Sequence, residues 1–415
     1  MAGIRRLERW AILAAAVFVA ACGSSGTAPQ TLPPGAASAE AASTAQTTPP
    51  VTVDRASPGQ SLPPGVTVVD AANSIQRLDW SPSGKLLAVL TWGGELGTGR
   101  ADILDLAGRR IASFDAFDMA WVDDTHLMTL VVSPNDIAHG TVTVHSIDGT
   151  DGNGVPGTFG GLLSNGHGSV ALMAPVAASE DPADESFQIW SNGHLGARIA
   201  GYGLPARWSA DGRLLALVGE SATGSRTRGG DSETAISLAV GGPIPGTLSV
   251  LKPPEKAAVL SRALADIRLD VYFSPDGSQL ATSDGLILNL TDGGGTQLAA
   301  SAEGWTSAGA LVVVGQDHRV SLWTPAGTTA VPNAFDWADF GPSEGDVATL
   351  PAADENLSFP VTAVVRHAGG AVSIPLNVGL IMAAWSSGGI CFIATGTIDA
   401  QREDNRLLRI ELPAS

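Results

Sequence analysis

From about residue 65 to residue 411 the chain alternates short apolar runs with short polar turns. Runs such as LLAVLTW (86–92), LLALVG (214–219) and ALVVVG (310–315) are apolar at successive positions rather than at every second one. Short continuous runs of this kind, bounded by turn residues, suit strands buried on both faces. Each is preceded by an aromatic residue and a turn built from Ser, Pro, Asp and Gly. In such a turn Pro presets φ, Asp or Ser bonds its own backbone, and Gly accepts positive φ. The unit is therefore a hairpin: apolar strand, tight turn, buried strand.

The hairpin repeats. WSPSGKLLA begins at Trp80, WSADGRLLA at Trp208 and FSPDGSQLA at Phe273, with weaker copies at Trp121, Trp305, Phe340 and Trp385. The most degenerate copy is LSNGHGSVA, which begins at Leu163. Successive copies are separated by 41, 42, 45, 65, 32, 35 and 45 residues, a mean of about 44, which is the size of one four-stranded propeller blade. A third strand follows most copies: ADILDL, VTVHSI, FQIW, AISLAV, LILNL, VSLW, VTAVVRH and LLRIEL. Several have a short fourth, such as RRIASF, ARIA and TQLAA. The pattern predicts an all-β chain folded as a single β-propeller of eight four-stranded blades, with seven as the alternative. The strand VTVVD (66–70) precedes the first copy, and LLRIEL has no fourth strand after it. The first is expected to complete the blade of the second and close the ring, which removes exposed sheet edges. The long interval between Trp208 and Phe273 contains an insertion, with a short helix as one reading of LKPPEKAAVLSRALADI.

The first 64 residues follow neither pattern. Arg5, Arg6 and Arg9 precede a ten-residue apolar run (11–20), and Ala20-Ala21-Cys22-Gly23 comes next. A basic start, a short apolar stretch and small residues before a cut site make a secretory signal. The run is too short to span a bilayer, which takes about 20 residues. Residues 23–64 are rich in Ser, Thr, Ala, Pro and Gly with three charged side chains. They bury too little apolar area to offset their ordering entropy, and as a coil would average roughly 35 Å end to end. The expected organisation is a signal in 1–21, a linker in 22–64 and a propeller in 65–415.

Two resemblances follow from these residues. Ala20-Ala21-Cys22 resembles the bacterial lipobox, which implies cleavage before Cys22, acylation of Cys22 and attachment to the extracytoplasmic face of the cell membrane, or to an outer membrane if the host has one. The W/F-S-P-D-G-x-x-L-A signature resembles the WD-repeat-like blades of the TolB family and of prolyl oligopeptidase propellers. It is informative about architecture and poor for function. Neither an N-terminal α/β domain of the TolB kind nor a C-terminal hydrolase domain is expected, so the TolB role does not transfer.

Chemistry is sparse. There is no G-x-S-x-G elbow, no H-E-x-x-H and no C-x-x-C, so no catalytic residue, metal site or cofactor is assigned. The seven histidines are scattered. Cys391 lies in the apolar run ICFIATG and reads as a small buried hydrophobe. TDGGGT (291–296) lies between strands and reads as a hairpin turn rather than a phosphate cradle. Five of the ten tryptophans and two phenylalanines occupy the repeat position and are core. Trp92 and Trp190 do not, and stay open between core and a sugar-stacking surface.

Charge alters the picture most. The chain has a formal net charge of −18, and removal of the signal takes it to −20. Nucleic acid is disfavoured by that sign. The loops joining second to third strands hold a net −11, concentrated at Glu180, Asp181, Asp184 and Glu185 and at Asp399, Glu403 and Asp404. Solubility alone accounts for charged loops; the functional reading is an acidic face favouring a basic partner or cations. The expected function is a membrane-anchored, non-catalytic binding or scaffold module for a protein or envelope component. The alternatives are a propeller enzyme, a lyase or glycan-acting hydrolase, and a sensor of small cations or metal.

Overall fold

The computed structural model describes residues 62–70, 75–92, 99–133, 136–149, 152–174, 186–220, 245–255, 257–266, 269–343, 345–350, 361–367, 370–376, 380–396 and 406–411. These form eight antiparallel sheets, each with its first strand on the inside. Inner strands of neighbouring blades touch at seven seams, the last with the first among them, and blades 6 and 7 meet through Gly327–Phe335 and Val347–Thr349, so the sheets close into an eight-bladed propeller. The seven-blade alternative is excluded: both short copies, at Trp305 and Phe340, head complete four-stranded blades.

Closure joins both ends of the ring. Val66–Asp70 pairs antiparallel with Arg406–Ile410 as the outermost strand of blade 8, outside Cys391–Gly396 and Leu380–Trp385. The amide of Glu411 donates to the Gly65 carbonyl, and a Cβ on Gly65, at φ +83°, would lie 2.5 Å from the Glu411 carbonyl oxygen. Val66 is buried with Ile374, Ile393, Leu408 and Ile410 between blades 7 and 8. Arg409 Nε donates to the Leu106 carbonyl of blade 1 across 2.6 Å, tying the closing blade to the opening one.

The signature residues work as the sequence suggested. Ser209 and Ser274 are buried. Each hydroxyl donates to the Asp two residues on, at 2.6 Å, and accepts an amide from the start of the second strand at 2.9 Å. Gly212 and Gly277 both take φ +69° at the turn, where their amides donate to Ser209 and Ser274. The Ser209 hydroxyl holds the Asp211 carboxyl below the ordinary carboxylate range, as Ser274 does for Asp276. The second strands are buried throughout their middles: Leu215, Ala216 and Leu217 have no exposed surface.

The aromatic positions fill the seams between blades. Trp121 Nε1 donates to the carbonyl of Asp79, Trp208 to Leu163 and Trp305 to Tyr272, each at 3.0 Å. In each case the acceptor precedes the repeat position of the blade before. This register corrects one copy. Ser164, not Leu163, pairs with the second strand where other blades place an aromatic, and Leu163 only supplies the acceptor. Blade 3 is thus the one blade with a small residue at that position.

Blade 4 brings the other corrections. Its third strand is Gly246–Leu251, and its fourth is Ala258–Leu264, which pairs with it along six positions. The segment expected as a helix is therefore a strand. Ala, Leu and Arg favour helix only weakly, and an unfilled sheet edge offers a full ladder of hydrogen bonds instead. The segment AISLAV, expected as the third strand, lies outside the described residues. Residues 136–140, expected in a loop, begin the third strand of blade 2.

Removing one seam bond tests this account. Trp121→Phe is expected to cost about 1 kcal/mol more than the same change at Trp80. Trp80→Phe is expected to cost nothing measurable beyond its small volume change, because Trp80 Nε1 is buried without a partner among the described residues. Urea unfolding of the two variants, run side by side, makes the comparison. Deleting residues 66–70 is expected to raise amide exchange in Arg406–Ile410 by at least about tenfold relative to blade 4, since the most weakly held unit opens first; hydrogen-exchange mass spectrometry reads it.

Candidate functional site

An antiparallel meander places its first-to-second and third-to-fourth turns on one face and its second-to-third loops on the other. The acidic residues singled out by sequence, Glu180, Asp181, Asp184, Glu185, Asp399, Glu403 and Asp404, lie outside the described residues, as does Cys22. Cys391 is fully buried; burial, with Asp339 and Asp346 nearby, pushes its thiol well up, so it stays protonated and unreactive.

The histidines do not converge. Four pair separately with an Asp: His126 with Asp123 at 3.0 Å, His139 with Asp136 at 2.8 Å, His318 with Asp336 at 2.5 Å and His367 with Asp346 at 2.8 Å. His145 instead stacks on Phe114 at 4.3 Å and meets the buried Thr129 hydroxyl at 2.9 Å. Among the described residues no three His, Cys, Asp or Glu side chains are placed to hold a metal. TDGGGT is the hairpin between Leu286–Asn289 and Gly295–Gln297, closed by Asn289 donating to Gly294. On the innermost strands Asp118 ties three blades together, accepting from Arg77 Nη1 of blade 1 and from the Leu162 amide of blade 3, each at 2.8 Å. Arg207 of blade 4 lies over the Tyr272 ring of blade 5 at 5.6 Å.

Among the described residues, a groove of about 440 Å3 lies on the turn face between blades 2 and 3. It occurs at the seam where Ser164 replaces the aromatic. Val122, Val144, Val155 and Leu195 make its apolar walls, with the half-buried Trp190 among them. Asn153 and Asn192 stand exposed on its two lips, one from each blade. At one end sits the Asp123–His126 pair. Burial pushes the Asp123 carboxyl up, but hydrogen bonds from Thr125 and His126 outweigh it and hold the group below its ordinary range. Asp123 Oδ1 already accepts from the Thr125 amide and hydroxyl, the His126 amide and His126 Nδ1 at 2.7–3.0 Å.

The two aromatics left open by the sequence now separate. Trp92 stacks on Phe117, centroids 6.1 Å apart, and belongs to the packing of blade 1 against blade 2. Trp190 faces the groove. Its position off the repeat was the available signal; that it shares a groove with Asp123 and Asn153 was not readable, because those residues are 67 and 37 positions away.

No protein-family model matches the chain, and no curated protein sequence matches it. Solved structures do. The C-terminal WD40 domain of Sif2 aligns with a TM-score of 0.50 at 13% identity, covering 84% of this chain and 99% of that one. The Dos1 propeller aligns at 0.46 and 8% identity, covering 81% and 78%. An oligogalacturonate lyase in complex with manganese aligns at 0.45 and 10% identity, covering 84% and 93%. The likeness to the Sif2 domain is one of fold: the chain is a β-propeller of the WD40-like class.

His145 supplies a pH prediction. Burial holds its imidazole below the ordinary value of 6.5, so the folded chain keeps it neutral where the unfolded chain takes up a proton. Its contribution to stability is complete above pH 6.5 and declines as pH falls through that value. His145→Gln is therefore expected to reduce the loss of unfolding free energy between about pH 7.5 and about pH 5.5 relative to the parent. Urea melts at both values measure the difference in slope, whatever the absolute stability of the variant.

Proposed function

We propose that this chain is a membrane-anchored extracytoplasmic lipoprotein whose propeller is a non-catalytic binding module for a protein or another envelope component. The observation that carries the reading is the use made of the repeat signature. Its Ser and Asp side chains are engaged in turns, and three of its Trp indoles in bonds between blades. The most regular polar residues of the chain are thus committed to holding a rigid ring, which leaves recognition to groups outside the repeat. The lipobox-like Ala20-Ala21-Cys22 supports the anchor, and the Ser/Thr/Pro-rich residues 23–64 support a spacer between membrane and ring. The net charge of −18 and the acidic segments at 180–185 and 399–404 support a basic partner, with salt-dependent association. No cofactor is needed for this role.

Two measurements test it. Metabolic labelling of cells with an alkynyl fatty acid is expected to mark the parent chain and to leave Cys22→Ala unmarked and released from the membrane fraction. An unmarked parent overturns the anchor. Capture from detergent-solubilised envelope with the full chain is expected to return a partner at low salt. That partner is expected to be lost at high salt, or when Glu180, Asp181, Asp184 and Glu185 are all changed to Lys. Capture indifferent to both changes overturns the acidic face as the docking surface.

A further inference from the structure

We infer that the groove between blades 2 and 3 is a saccharide-binding site, taking one pyranose ring against Trp190. This goes beyond the proposed binding role and depends on neither the anchor nor a protein partner.

Two independent features meet here. Seven blades end their innermost strand in Trp or Phe, which packs into the seam with the blade before. Blade 3 ends it in Ser164, whose hydroxyl donates to the Trp121 carbonyl instead. The groove lies between the same two blades, with Ser164 itself outside its lining. Departures from an internally consistent pattern are expected where function outweighs packing. The blade also carries an aromatic off the repeat: Trp190, on its third strand, opposite Val170 and Leu195.

The lining decides the class of ligand. A phosphate or carboxylate would meet the Asp123 carboxylate, which its hydrogen bonds keep ionised. A cation would find that carboxylate occupied, since Oδ1 has four donors and Oδ2 faces His126 Nδ1 at 3.0 Å. What the groove offers is an aromatic side chain beside apolar walls, with uncharged planar amides at its lips. With Nδ1 engaged by Asp123, Nε2 is the nitrogen of His126 left for a ligand hydroxyl. An uncharged polyol with one C–H face matches this set. Its C–H face covers the indole, and its edge hydroxyls reach Asn153, Asn192 and His126, groups that both donate and accept. The volume of about 440 Å3 lies in the range of small-ligand sites.

The test is a titration of the full chain in detergent with methyl pyranosides of glucose, galactose, mannose and N-acetylglucosamine. Short oligomers of the same sugars and fragments of host envelope glycan are titrated beside them. Binding is followed by saturation-transfer NMR and tryptophan fluorescence. At least one free pyranoside is expected to bind saturably; tighter binding of envelope glycan than of free sugar would identify the envelope as the source. Trp190→Ala is expected to weaken binding at least tenfold, and Asn153→Ala about threefold with an unchanged thermal midpoint. Trp92→Phe, at the indole stacked on Phe117, is expected to leave binding unchanged. Absence of saccharide binding throughout the panel overturns the inference. So does binding that survives Trp190→Ala, or a groove that takes a proline-rich peptide or an organic amine and no sugar. If Trp190→Ala fails to fold, Asn153→Ala, exposed at the lip, decides.

Discussion

Val66–Asp70 lies antiparallel to Arg406–Ile410, so two segments about 340 residues apart share one sheet. A ring of blades needs such a pairing. Each blade is a four-stranded sheet, the outer strand of blade 3 being split into two short pieces, and its two faces are covered by its neighbours; a gap between first and last blades would expose a face of each. Val66, Leu408 and Ile410 are buried together against Val365 and Ile374 of blade 7. Every other seam relies on this closure, since inner strands that touch in sequence around a ring cannot shift independently.

Within the closed ring, one position per blade sets how tightly neighbours fit. Where it is Trp, the indole adds a bond to the preceding blade in three seams. Around blade 8 the same Trp side chains, Trp80 and Trp385, leave Nε1 buried and unpaired among the described residues. Where the position is Ser164, no aromatic enters the seam and the hydroxyl donates to the Trp121 carbonyl instead. Small variation at a single repeat position thus spans bonded and unbonded seams.

The architecture was legible because it is periodic. Eight copies of one hairpin signature announce eight blades, and the Ser, Asp and Gly roles follow from the chemistry of a tight turn, so Ser209, Asp211 and Gly212 could be assigned before any coordinates. Two local readings failed where local preference competed with the sheet. AVLSRAL is acceptable as a helix by propensity, but the ladder of Gly246–Leu251 claims it as a strand. Leu163 aligns by sequence with the aromatic position, but pairing across the hairpin puts Ser164 there. A one-residue shift of this kind is invisible in a degenerate copy and decisive in a strand, where it exchanges the two faces.

By itself, then, the sequence determined the repeat, the strand order, the turn chemistry, the apolar start with its Cys22 and the acidic balance of the chain. Each of these depends on residues close together in the chain or on simple sums over it. Only the tertiary structure decided that Trp92 belongs to packing while Trp190 faces a groove, and that Asp123, Asn153 and Asn192 border the same space. The physical reason is the geometry of a ring. Side chains that meet at a seam come from adjacent blades, about 40 residues apart, and which face of its strand each occupies is set by pairing partners that local sequence does not name.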